Sequence, residues 1–224
     1  MNSDWLMDPL FDAGRHKDLY QKLLGASERQ QELWQSFHFS TRMKLDASDY
    51  FCRLAIGAAS MPYEQGLPLL AHRLLKWNLD AFFFELTSAA DILLQELNII
   101  YAFDDSLEPD DVRWPKIKTK IPENIRNYMD NEWLSLWFQK VLDYRNQATH
   151  QSYIWTSFST LGSGNWDIEH ELKVDLDYFN KKSGELEHEP AAKCKDYLVK
   201  MVQYIHSVWQ LIYDISVAKE IDKE

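Results

Sequence analysis

The chain has 224 residues, 35 acidic against 24 basic side chains and a net charge of −11 at pH 7, a field that repels polyanions and excludes tight non-specific nucleic-acid binding, DNA included. Nine Trp, eleven Tyr and eleven Phe supply an aromatic core, and seven Gly and seven Pro are too few for a turn-rich β fold, so the expectation is an all-α protein. Two cysteines, Cys52 and Cys194, make no disulfide framework and have no metal-ligand spacing, which points to a reducing cytoplasmic setting with both thiols buried.

Met1-Asn-Ser-Asp-Trp-Leu has no basic run followed by an apolar stretch, so no signal peptide is expected. Pro9 and Gly14 keep the lead from forming a stable helix. From His16 to Phe39 apolar residues recur at helical spacing around a Gly25-Ala-Ser break, giving one kinked helix or two. Asp46 to Ala59 is a separate, shorter helical candidate with Ser48 as a possible N-cap, ended by Ser60-Met-Pro. Residues 1–60 are therefore read as a helical extension, and 61–224 as the bundle proper.

Pro68 fits the first turn of the longest helical pattern, Leu69 to Phe103, about 50 Å if fully formed. Polar residues within it, including Asp80, Glu85, Asp91, Gln95 and Glu96, are too many for a membrane span. Glu85, Ser88, Asp91, Gln95 and Asn98 recur as a polar stripe: a solvated face, or the lining of a cleft in which Glu85 or Asp91 orients a cationic partner. Residues 104–122 read as loop and short turns carrying Arg113, Lys116, Lys118 and Lys120. Glu123 to Ser152 reads as one helix with Ile125, Met129, Leu134, Trp137, Phe138 and Val141 on its buried side, and Pro190 opens a last helix running to about Lys219. Four or five helices with short connections imply an antiparallel bundle.

Chemistry concentrates near the end of the 123–152 pattern. Asn146 and His150, four apart, share one helix face, whereas Arg145 is about 140° and 7.5 Å from His150, so a long side chain or a second copy of the helix must bring the two together. His150 has the side chain whose ordinary pKa of about 6.5 lets it take or give a proton near neutral pH. Arg145 suits a phosphate, Asn146 can orient substrate or imidazole, and Tyr144 and Tyr153 flank the group as stacking surfaces or as packing residues.

Arg145, Asn146 and His150 on a late helix of an all-helical chain, preceded by the long Arg73–Tyr101 pattern, resemble the R-x4-6-H signature of the HEPN (higher eukaryotes and prokaryotes nucleotide-binding) superfamily, over roughly residues 65–220. The resemblance implies a metal-independent endoribonuclease of toxin or defence type, built as a homodimer with Arg145 and His150 at the interface and met by an antitoxin partner. It equally admits a non-catalytic module that binds nucleotide, RNA or a protein. No cofactor is called for. Glu185-Leu-Glu-His188 and Asp167-Ile-Glu-His170 each have carboxylate and imidazole at metal spacing, but each stands isolated, so no metal site is expected.

Overall fold

The computed structural model describes residues 27–59, 68–102, 112–146, 148 and 190–221. The protein is an all-α bundle, with no strand among those residues. Its helices are α1 (Glu28–Ala59), α2 (Pro68–Leu97, continued by a π turn at Asn98–Ala102), the short α3 (Trp114–Ile117, then a 3-10 turn at Lys118–Lys120), α4 (Glu123–Trp133), α5 (Leu136–Asn146) and α6 (Pro190–Ile221). None of the described helices is long and apolar enough to cross a membrane.

Helix α1 begins where a reciprocal cap closes it. Ser27 N donates to Gln30 Oε1 at 3.0 Å and Gln30 N donates to Ser27 Oγ at 3.4 Å, so two amides that lack intrahelical acceptors are satisfied by side chains. The helix then runs unbroken for 32 residues, which corrects the expectation of a separate Asp46–Ala59 helix capped by Ser48. Ser48 is buried in mid-helix. Two hydroxyls bond back one turn, Ser40 Oγ to Ser36 O at 2.8 Å and Thr41 Oγ1 to Phe37 O at 3.2 Å, and the Asp49–Arg53 ion pair continues the helix beyond them.

Packing divides into two compact units, and α1, α2 and α6 each contribute to both. The first draws on the described parts of Met1–Leu45, Ser88–Ser135 and Lys200–Glu224. Its centre is aromatic. Trp34 of α1 meets the edge of Trp209 of α6 with centroids 5.8 Å apart, so α1 is part of a shared core here. Trp114 Nε1 donates to Asp130 Oδ1 at 2.6 Å and ties α3 to α4, while Trp133 Nε1 donates to Tyr204 OH at 3.3 Å and ties α4 to α6. Lys120 Nζ donates to Ala102 O at 3.3 Å, covering a carbonyl left open at the end of the π turn.

The second unit draws on the described parts of Asp46–Thr87 and Leu136–Val199. Phe83 of α2 is its hub, stacked on Tyr144 of α5 at 4.6 Å and tilted against Tyr197 of α6 at 6.1 Å. Leu75, Leu79, Val141 and Leu198 of the same unit are buried as well.

The single helix expected over Glu123–Ser152 is two helices. Leu134 N still reaches Asp130 O at 3.2 Å, but Ser135 N turns to Glu132 O at 3.0 Å, and Ser135 Oγ donates to the same carbonyl, so the α ladder closes before Leu136 restarts it. Leu134, expected inside, is 82% exposed at this corner, and Leu136 is 73% exposed.

Candidate functional site

Helix α5 sets the direction of the chemistry-bearing residues. Phe138, Val141 and Tyr144 are buried at spacings of three, which fixes one face of the helix against the core. Arg145 and Asn146 then follow at the last turn, half-buried and exposed respectively. Arg145 Nη1 donates to Asn146 Oδ1 at 3.3 Å, so the two polar groups are brought together. A cation in the last turn is also favoured by the carbonyl end of the helix dipole, worth a few tenths to about 1 kcal/mol. His150 and Tyr153 lie outside the described residues, as do the Glu185–His188 and Asp167–His170 pairs.

Tyr144 is not presented to solvent. It is buried, with Phe83 stacked on it and Tyr197 tilted at 6.3 Å, so its ring is a packing surface. The polar stripe of α2 divides by position: Glu85 and Ser88 are half-buried, Asp91 is exposed, Gln95 is half-buried and Asn98 is buried in the π turn. The cations Arg113, Lys116 and Lys120 are exposed.

A fully buried ionisable group lies elsewhere among the described residues. In the first unit Glu96 of α2 is fully enclosed, with its Oε2 3.2 Å from His38 Nδ1 of α1 and its Oε1 in a short contact with Thr41 Oγ1. The His38 ring is stacked on Trp34 at 5.1 Å and meets the edge of Trp209 at 4.4 Å. Burial pushes the Glu96 carboxyl above its ordinary value, an effect opposed by the hydrogen bond and charge of His38 and by the bond from Thr41. Sealed from solvent, the group cannot meet a substrate; it is a polar cross-link between α1 and α2.

Sequence reasoning passed over His38, Thr41 and Glu96. One signal pointed to them. Glu96 lies seven residues after Ala89 and three after Leu93, in register with the buried face of α2 and off the Glu85–Asn98 stripe, and a carboxylate in that register requires a partner from a neighbouring helix. Compared with protein-family models, curated proteins and solved structures, the chain matches none of them.

Proposed function

We propose that the chain is a metal-independent endoribonuclease of toxin or defence type, resembling HEPN proteins, with Arg145, Asn146 and His150 carrying the reaction. The observation that supports it is the pairing of Arg145 with Asn146 in the last turn of α5, where Arg145 is half-buried and Asn146 is exposed. His150 takes the proton of a ribose 2′-OH, the freed oxygen attacks the adjacent phosphorus, the bond from phosphorus to the 5′-oxygen breaks, and that oxygen takes up a proton. Arg145 neutralises the charge gathering on the phosphoryl oxygens, and Asn146 holds the Arg145 guanidinium or the phosphate in place. Demand for a 2′-OH nucleophile makes the reaction specific to RNA without a metal. A homodimer supplies a second Arg145–His150 set, and a protein antitoxin that covers it is the matching partner in a cytoplasmic setting.

A second reading, a non-catalytic module that binds nucleotide, RNA or protein, draws on the net charge of −11 and on the burial of Tyr144, which withdraws one stacking surface. The two readings separate in one experiment. Purified protein is incubated with mixed tRNA and single-stranded RNA in excess chelator, alongside His150→Ala and Arg145→Ala, and the product ends are analysed. Cleavage leaving 2′,3′-cyclic phosphate and 5′-hydroxyl ends, lost in both variants, supports the nuclease. Intact RNA in every lane, with dimer present, overturns it in favour of the binding module.

A further inference from the structure

The cations around α3 stand on a fixed platform. Val112, Trp114, Ile117 and Ile121 are all buried, which turns the intervening Arg113, Lys116 and Lys120 outward and leaves Lys118 half-buried among them. Backbone bonds hold that alternation: Arg113 O accepts from Lys116 N at 2.9 Å, and Lys118 O accepts from Ile121 N at 3.3 Å. The Trp114–Asp130 bond anchors the segment to α4 inside the first unit. Four like charges therefore fall between positions 113 and 120, and no carboxylate occurs from Val112 to Pro122. Like charges held this close repel one another until an anion lies against them. Lys120 already donates to Ala102 O and Lys116 has a contact within the chain, whereas among the described residues neither Arg113 nor Lys118 pairs with an acid.

We propose that the 113–120 platform binds the phosphodiester backbone of RNA, with Arg113 and Lys118 as its principal contacts. What the segment exposes chooses that occupant. Apart from Pro115, every apolar residue between 113 and 120 is buried. A protein partner needs an apolar centre to its interface and a membrane surface needs apolar side chains to hold, but a phosphate strand is positioned by cations alone. With no exposed aromatic side chain in the segment, bases are not stacked and sequence is not read. Binding is weak and salt-sensitive, because the chain carries a net charge of −11 and Asp104, Asp105, Glu108, Asp110 and Asp111 directly precede the platform in sequence. The assignment of RNA rests on the RNA-directed reading above, and it uses neither Arg145 nor His150.

Fluorescence anisotropy on the full chain tests it, with a labelled single strand of about 20 nucleotides whose 2′-hydroxyls are all methylated, so that phosphates remain and no nucleophile for cleavage is offered. Wild type is expected to bind with a dissociation constant of about 10–100 µM at about 50 mM salt, and log Kd to rise with log salt at a slope of about 1.4–2, two or three contacts at about 0.7 each. Arg113→Gln combined with Lys118→Gln keeps its helical circular dichroism, weakens binding by about tenfold or more and takes the slope below about 0.7. Lys193→Gln combined with Lys200→Gln removes the same charge at two exposed positions of α6 and stays within about twofold of wild type. Absence of binding up to about 300 µM protein, or an affinity untouched by the Arg113 and Lys118 changes, overturns the proposal. Equal losses in the two double variants overturn it as well, assigning binding to net charge. A glutamate peptide that displaces the strand as readily as unlabelled RNA of matched charge overturns it in favour of an acidic protein partner. Binding is read without turnover, so cleavage with no binding here sinks this proposal alone, and binding with no cleavage sinks the nuclease reading alone.

Discussion

His38 of α1 and Glu96 of α2 meet at 3.2 Å with both side chains closed off from solvent, 58 residues apart in the chain. The contact holds two long helices in register. Glu96→Ala strips His38 and Thr41 of their buried polar partner and is expected to cost about 3 kcal/mol, whereas Glu96→Gln keeps a hydrogen-bonding group beside both and costs less. Urea unfolding of both variants beside wild type checks the order.

The same carboxyl gives the stability curve a direction in pH. Its pKa is raised in the folded state by burial, so the folded protein binds the proton more tightly than the unfolded chain. The stabilisation is fully present below the ordinary carboxyl value of about 4.3 and is lost as pH rises through the raised value. Urea midpoints across that range should show a falling component in wild type that Glu96→Gln removes; an identical slope in the variant would count against the assignment.

Tyr144 separates packing from recognition. Tyr144→Ala opens a hole between Phe83 and Tyr197 and is expected to cost about 3 kcal/mol, while Tyr144→Phe preserves the ring and stays within about 1 kcal/mol of wild type. On the proposed ribonuclease reading, cleavage by Tyr144→Phe per folded molecule is expected to equal that of wild type.

Cys52 is inert for a physical reason. Burial, then the neighbouring Asp49, pushes its thiol up to about 11, against weaker opposite effects of Lys195 and Arg53. A disulfide reagent at pH 8 should titrate both buried cysteines in urea and leave them unmodified in the native state. The raised thiol also adds stability below its ordinary pKa of about 8.5 that disappears as pH climbs through 11.

Leu134 and Leu136 sit at the corner between α4 and α5 and make a contrast with Ile125, which is buried. Leu134→Glu or Leu136→Glu is expected to move the unfolding free energy by no more than about 0.5 kcal/mol. Ile125→Ala should cost about 3 kcal/mol, and thermal melts of the three variants read the difference directly.

Long periodicity was the legible part. Pro68 and Pro190 each stand at a helix start, and the 3-and-4 spacing of Leu198, Met201, Ile205, Val208 and Ile212 matches the buried side of α6. The breaks were less legible, because they depend on where a hydroxyl finds its acceptor. Ser40 and Thr41 bond back along α1 and leave it whole; Ser135 bonds to Glu132 O and ends α4. These residues carry the same functional group, and composition alone does not tell the outcomes apart. For the candidate site, the pairing of Arg145 with Asn146 is not legible from spacing, because consecutive residues lie about 100° apart on a helix and the long guanidinium side chain must reach round to meet its neighbour. The enclosure of Tyr144 is not legible either, since it requires Phe83 and Tyr197 from elements distant in sequence. The His38–Glu96 contact is of that distant kind as well.

The π turn at Asn98–Ala102 has a consequence of phase. A turn of that type holds one residue more than an α turn, so whatever follows is rotated by about 100° relative to the continuation of α2. Asn98, Ile99 and Ile100 are consecutive and all buried, a triplet that a regular helix lying on one face of a core could not enclose. Taking one residue out of this segment would restore an ordinary helix and turn the last stretch of α2 partly inside out. The widened turn therefore works as an indexing step, setting which side chains enter the interior before the chain leaves the helix.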